Sequence, residues 1–279
     1  MEGRAKLLRL WALGARMDLL FLSRSLRTGI SWYFADLLIG LSSATWAFLL
    51  AERFDGIGPW SRAQIAFLLG FSLLVRGLLD AVFGMNVSFP SRRIGRGQLD
   101  HMLLMPQPLW QTIASDGFTP FTGSARLVSG IVVLGWAAHA LALPLDATWL
   151  AHALAQLAAA VLITLSFSYL WGSLAFIAPR GAEEINSSSM RMLDQLNPFP
   201  LDGVVAVLTA SLLSFVPAGL LAWLPARVLL GMETAAWAWL WTPAAALGFV
   251  ALATWTFRRG LRRYMRTGSV RYLSHGHRR

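Results

Sequence analysis

Apolar runs of about 20 residues, several in succession, constrain this chain more than any other feature. A helix of that length rises about 30 Å, the depth of a bilayer's hydrocarbon core. One such run is "GISWYFADLLIGLSSATWAFLLA" at 29–51. Four more lie at about 62–85, 118–143, 149–178 and 236–257, and another starts near 202. Only 14% of the 279 residues are charged and 56% are hydrophobic, whereas a soluble domain carries about 25% charged residues. The alternating ten-residue segments of a transmembrane β-barrel are absent. The expected fold class is therefore an all-α membrane protein with six transmembrane helices. A large soluble all-α protein with buried helices is the alternative.

Three further segments refine that topology. Residues 1–28 read as an N-terminal interfacial helix, best defined over 4–27. Leu7, Leu10, Trp11, Met17 and Phe21 share one face, Arg9, Arg16, Ser23 and Arg27 the other, and Asp18 breaks the apolar side. Such a helix lies among lipid headgroups, with membrane lipids as expected partners, or else is an ordinary cytosolic helix packed on the protein. The stretch 216–233, "VPAGLLAWLPARVLLGME", is apolar but carries Pro217, Gly219, Pro225 and Gly231. These break a helix, so it reads as an external re-entrant helical hairpin rather than a span. Residues 258–279 form a basic tail. The six-helix domain thus occupies 29–257.

The net charge is +10, but its placement points to topology and not to nucleic acid. Nineteen of the 24 basic residues fall before the first segment, between the second and third, between the fourth and fifth, or after the sixth. Arg53, Arg62 and Arg227 fall on the other side. The positive-inside rule then puts both termini in the cytoplasm, with 86–117 and 179–201 as cytoplasmic connections.

Several chemistries are excluded or disfavoured. The single lysine, Lys6, is preceded by alanine, so no Gly-Lys-Ser/Thr phosphate loop exists and ATP would have to be hydrolysed by another chain. There is no cysteine. His139 and His152 have only Asp146 nearby in sequence and make a weak metal site, and "HGHRR" reads as a polar tail. No catalytic set, cofactor site or metal site is expected on this chain. Charges inside the apolar runs are more informative. Asp36 lies in the first segment, while Arg76 and Asp80, four residues apart, share a face of the second. Charges at membrane depth call for partners. They read either as a structural ion triad or as part of a cytoplasm-facing cavity.

The connection 86–117 holds "RRIGRGQLDHMLLMPQP". "RRIGRG" reads as a basic turn and "QLDHMLLM" as about two helical turns stopped by Pro106 and Pro108. Leu99, Met102 and Leu103 recur at i, i+3, i+4 and would offer an apolar face to a partner. The stretch resembles the first cytoplasmic loop of ABC-2 type transporter permeases, whose pattern I-x-x-G-x-L-D-x-x-L-L-x-P is met by Ile94, Gly97, Leu99, Asp100, Leu103, Leu104 and Pro106. Gln98 stands where the family usually has an acidic residue. A looser likeness covers "NPFPLDGVVAVLTASLLSFVPAGLLAWLPARVLLG", through Pro200, Phe215-Val216-Pro217, Pro225-Ala226 and Leu230-Gly231.

The resemblance implies an exporter subunit in a bacterial inner membrane. Two permeases, identical or different, would sit above two ABC ATPase subunits that hold ATP and Mg. A coupling helix at about 96–106 would dock on the ATPase through Arg93, Ile94, Arg96, Gly97, Gln98, Leu99, Asp100, Met102, Leu103 and Pro106. The cargo expected in such a dimer is amphipathic or hydrophobic. The competing readings are a non-transporting membrane scaffold and an ion-coupled secondary transporter.

Overall fold

The computed structural model describes residues 2–53, 56–202, 205–233, 235 and 237–268, which form helices joined by turns and loops, with no β-strand among them. The end of the expected basic tail, including Arg271, His275, His277, Arg278 and Arg279, lies outside the described residues. At the centre is α3 (Arg62–Ser88). Ser61 opens it with a capping box: its hydroxyl accepts from the Gln64 amide, and the Gln64 side chain accepts from the Ser61 amide. Such a reciprocal cap satisfies two amides that have no intrahelical partner. Ile65 to Leu69, Phe71, Val75 and Leu79 are all buried.

α3 packs on α7 (Ala125–Ala140) through glycines. A Cβ on Gly77 would fall 2.1 Å from the Leu127 amide nitrogen, and one on Gly130 would fall 2.5 Å from that of Leu74. Small residues at facing positions let two backbones approach this closely. On another side stands α8 (Ala147–Gly172), begun by the Asp146 side chain accepting from the Trp149 amide at 2.7 Å and extended by a 3₁₀ turn, Ser173–Phe176. α8 in turn packs on α12 (Ala238–Thr267), where Gly260 faces the Phe176 ring.

Among the described residues, three helical stretches are long and apolar enough to cross a membrane: Arg62–Gly95, Ala147–Phe176 and Ala238–Thr267. A fourth candidate is the bent pair Val207–Ser214 with Pro217–Leu229. α2 (Leu26–Arg53) occupies the expected first segment. α7, with 16 residues, is shorter than the expected 118–143. The difference arises because Phe121 and Thr122 leave the helix to bind Asp18 of α1 (Glu2–Arg24).

Two connections differ from expectation. "RRIGRG" is not a simple turn: Pro90–Gly95 forms a short helix, α4, with proline in its first turn where no amide partner is lost. The chain then reverses at Gly97, whose φ of 73° suits glycine, into α5 (Gln98–Leu103). Leu109–Ser115 comes next as α6. The second concerns 179–201, expected as a connection before a fifth segment starting near 202, which is not irregular. Pro179–Leu196 is an 18-residue helix, α9, which buries Ala182, Asn186, Met190 and Leu193.

α9 and the residues that follow it run alongside α4 and α3. Glu183 near its start binds Arg92 and Arg96 at the α4 end. Asp202, just past its end, binds Trp60 at the opposite end, where α3 begins. Beyond Asp202 the chain forms a nine-residue helix, α10 (Ala206–Ser214), and bends by 68° into the broken stretch. That stretch consists of a 3₁₀ turn led by Pro217 and of α11 (Trp223–Leu229). Pro225 sits in the first turn of α11, Gly231 closes it at φ 67°, and Gly219 lies against Leu201 and Leu213.

Candidate functional site: a charge chain above a clasped loop

The three expected intramembrane charges belong to a longer chain. Arg126, at the start of α7, reaches Asp36 at 2.9 Å and Asp80 at 2.5 Å. Asp80 accepts from Arg76 Nε at 3.1 Å, and Arg76 Nη1 donates to both oxygens of Asp194 on α9, the shorter at 2.6 Å. Signs alternate along Asp36, Arg126, Asp80, Arg76 and Asp194, so each aspartate faces an arginine. Asp36 meets Arg126 and not Arg76. Four helices are thus joined by one electrostatic chain. Beside it lies a cavity of about 400 Å³, lined by Ser72, Arg76, Arg126, Asp194, Gln195 and Asn197 among others. Sequence reasoning missed Arg126, although it stands inside the expected 118–143 segment, and Asp194, which stands in the polar connection 179–201.

Below, α4 is fixed from several sides. Arg93 is buried. It donates to Asn86 Oδ1 at 2.8 Å and forms an ion pair with Asp116. The Tyr169 hydroxyl donates to the same Asn86 oxygen at 2.6 Å, while Asn86 Nδ2 donates to the carbonyls of Ile113 and Asp116. One asparagine therefore joins α3, α4, α6 and α8. Arg92 and Arg96 both bind Glu183 at 2.9 Å and tie α4 to α9.

The rotation of α5 differs from the expected docking face. Leu99 is 2% exposed and packs with Ile94, Ala175, Phe176, Ala182 and Tyr264. Asp100 accepts from the Tyr264 hydroxyl of α12 at 2.6 Å. These two contacts turn Leu99 inward and leave His101, Leu103 and Leu104 exposed, Leu104 at 84%. Of the proposed coupling residues, Arg93, Ile94 and Leu99 face the interior. Gly97, Asp100 and Met102 are half-buried, and Arg96, Gln98, Leu103 and Pro106 are exposed. Arg93 and Leu99 can only position such a surface; Leu103 and Leu104 can form it.

Two anchors were not foreseen from the sequence. Asp202 accepts from Trp60 Nε1 at 2.5 Å and Trp223 Nε1 at 2.7 Å and pairs with Arg227, which lies 5.3 Å over the Trp223 ring and also meets Glu233. This closes the Trp60 end around the broken stretch. Asp18, the residue that interrupts the apolar face of α1, accepts from the amides of Phe121 and Thr122 and from the Thr122 hydroxyl. Trp11 donates to the Ala114 carbonyl at 3.0 Å and stacks on Phe118. α1 is thereby fastened to the connection between α6 and α7. His152, considered as a metal ligand, lies against the Trp239 ring.

Residues 37–268 match the family model described as ABC-2 family transporter protein. No curated protein and no solved structure matches the chain.

Proposed function

The chain belongs to the ABC-2 transporter family as a membrane permease, and we propose that it is the membrane subunit of an ATP-driven exporter, powered through the surface at Leu103 and Leu104. ATP and Mg²⁺ belong to two separate ATPase subunits, consistent with a chain that lacks the lysine-bearing phosphate loop. A second permease, identical or homologous, completes the membrane part. In this reading the six crossings are α2, α3, α7, α8, the segment that starts near 202 with α10, and α12. The broken stretch with α11 forms the re-entrant hairpin on the outer face, and α4 to α6 face the cytoplasm of a bacterial inner membrane with both termini.

The observation that carries this reading is the fastening of the α4–α5 block. It is tied to α9 through Glu183, to α12 through Tyr264, and to α3, α6 and α8 through Asn86. A displacement applied at Leu103 and Leu104 is passed to those helices together, because the buried contacts leave the block little freedom to move alone. Closure of an ATPase pair beneath would supply the displacement. The charge chain lies next in line, joining α9 through Asp194 to α3, α7 and α2.

The test replaces both exposed leucines, Leu103→Asp with Leu104→Asp, leaving the interior untouched. An ATPase that co-purifies with the natural permease is expected to be lost from the variant while the permease keeps its yield. Retained co-purification together with retained transport would refute docking at this surface.

A further inference from the structure

α12 is longer than a bilayer requires. Its 30 residues rise about 45 Å, whereas about 20 residues cross a hydrocarbon core of about 30 Å. Residues 238–257 carry no charge, and Arg258, Arg259, Arg262, Arg263 and Arg266 all fall in the turns left over. All five are exposed. The rotation of the helix is set by its inner face, where Ala253 and Tyr264 are buried and Gly260 lies against Phe176. Trp255, Arg259, Arg262 and Arg266, at spacings of four, three and four, share the opposite face. A groove of about 350 Å³ is lined there by Arg259, Arg262, Arg263, Arg266 and Thr267.

These guanidiniums differ from those inside the fold. Arg76, Arg92, Arg93, Arg96, Arg126 and Arg227 each meet a carboxylate. Among the described residues, none of the five arginines of α12 forms an ion pair, and no acidic residue follows Glu233 in the sequence. Asp100, which touches this helix, is taken by Tyr264 on the inner face. Like charges four apart on a helix repel, as Arg259 with Arg263 and Arg262 with Arg266 must. An anion in the groove removes that repulsion, and a guanidinium fork fits the paired oxygens of a phosphate.

Two observations choose a lipid as the source of that phosphate. Toward the membrane, the exposed side of the helix carries Leu247, Leu252 and Trp255, which suit acyl chains. Tryptophan favours the boundary between hydrocarbon and headgroups, and Arg259 lies 5.7 Å over the Trp255 ring, which sets the groove at the level of the phosphates. The groove also faces away from Tyr264, and so away from α5, the surface assigned to the ATPase. We propose that the arginine groove of α12 binds an anionic phospholipid, with a headgroup of two phosphodiesters matching the four arginines and acyl chains lying along Leu252 and Trp255. The coupling scheme uses none of these residues.

The full chain, purified in detergent, is titrated with tetraoleoyl cardiolipin or with dioleoyl phosphatidylcholine, and bound lipid is read by native mass spectrometry. The natural chain should bind cardiolipin about tenfold tighter or more than phosphatidylcholine. A basic residue near an anionic lipid contributes about a factor of five, so Arg262→Gln with Arg266→Gln should weaken cardiolipin binding about twentyfold. Arg180→Gln with Arg191→Gln, the same change of charge on exposed positions of α9, should leave it within about twofold. The comparison of the two lipids is made on the natural chain and does not depend on how either variant folds. Equal affinity for both lipids, an equal loss in the two variants, or displacement of cardiolipin by inorganic pyrophosphate, which has no acyl chains, would each overturn the site. Unchanged cardiolipin binding in the Arg262 and Arg266 variant, with a co-purifying ATPase lost instead, would make the groove a protein contact and overturn it as well. The lipid readout needs no ATPase, so its failure leaves the exporter reading untouched.

Discussion

Arg126 shows how much one side chain can hold in this fold. It is the shared partner of Asp36 and Asp80, and its side chain is 20% exposed. Removing one member of such a network leaves the opposite charges uncompensated, which costs more than the net worth of the pair. Arg126→Gln is expected to destabilise the protein by about 3–5 kcal/mol, read as a lowered thermal midpoint in detergent. Adding Asp36→Asn should restore part of the loss, because one orphaned carboxylate is then gone. The sequence exposes such residues only when they interrupt an apolar run. Asp36, Arg76 and Asp80 do so and are readable. Arg126 also interrupts a run, 118–143, but only the structure shows it to be the shared partner of Asp36 and Asp80; Asp194 stands in a polar stretch and does not look like an intramembrane charge. Leu99 and Leu103 look equivalent by spacing; a tyrosine 164 residues away from Asp100 decides which of them is buried.

At the scale of elements, the long apolar helices are legible because periodicity is not needed to recognise a run that is apolar on every side. The broken stretch at 216–233 is legible from its prolines and glycines. α9 is not. Its buried stripe, Ala182, Asn186, Met190 and Leu193, contains an asparagine, and its outer stripe is polar, so its composition resembles that of a solvent-exposed connection. What makes it a bundle element is tertiary: Asn186 donates to Ser91, Asp194 meets Arg76, and Asn197 donates to Ser72. Glu183 is the lower clasp of that element. Its ion pairs are a third or more exposed, so Glu183→Gln should cost no more than about 1 kcal/mol of stability. The same change should still uncouple hydrolysis from transport. The ratio of transported cargo to ATP hydrolysed checks this, and an unchanged ratio would show that α4 does not act through α9.

The whole molecule is organised along one axis. Its sides are apolar: exposed Trp32, Leu38, Leu154, Leu247 and Trp255 form surfaces that a soluble monomer rarely shows. One end is held by the Asp202, Trp60, Trp223 and Arg227 cluster, the other by Asn86 and the Arg92, Arg96 and Glu183 clasp. Between them run the charge chain and the polar stripe of α9. The arrangement suits a body that receives a force at one end and transmits it through tied helices. Everything proposed for its function depends on that force entering at the exposed tip of α5. A thiol placed there by Leu104→Cys, in the otherwise cysteine-free chain, can be joined to a neighbour by a short bifunctional reagent in intact membranes. The ATPase should be captured from position 104, and not from Leu208→Cys on α10. Capture from position 208 in place of 104 would put the point of entry at the wrong end of the molecule and refute the coupling scheme.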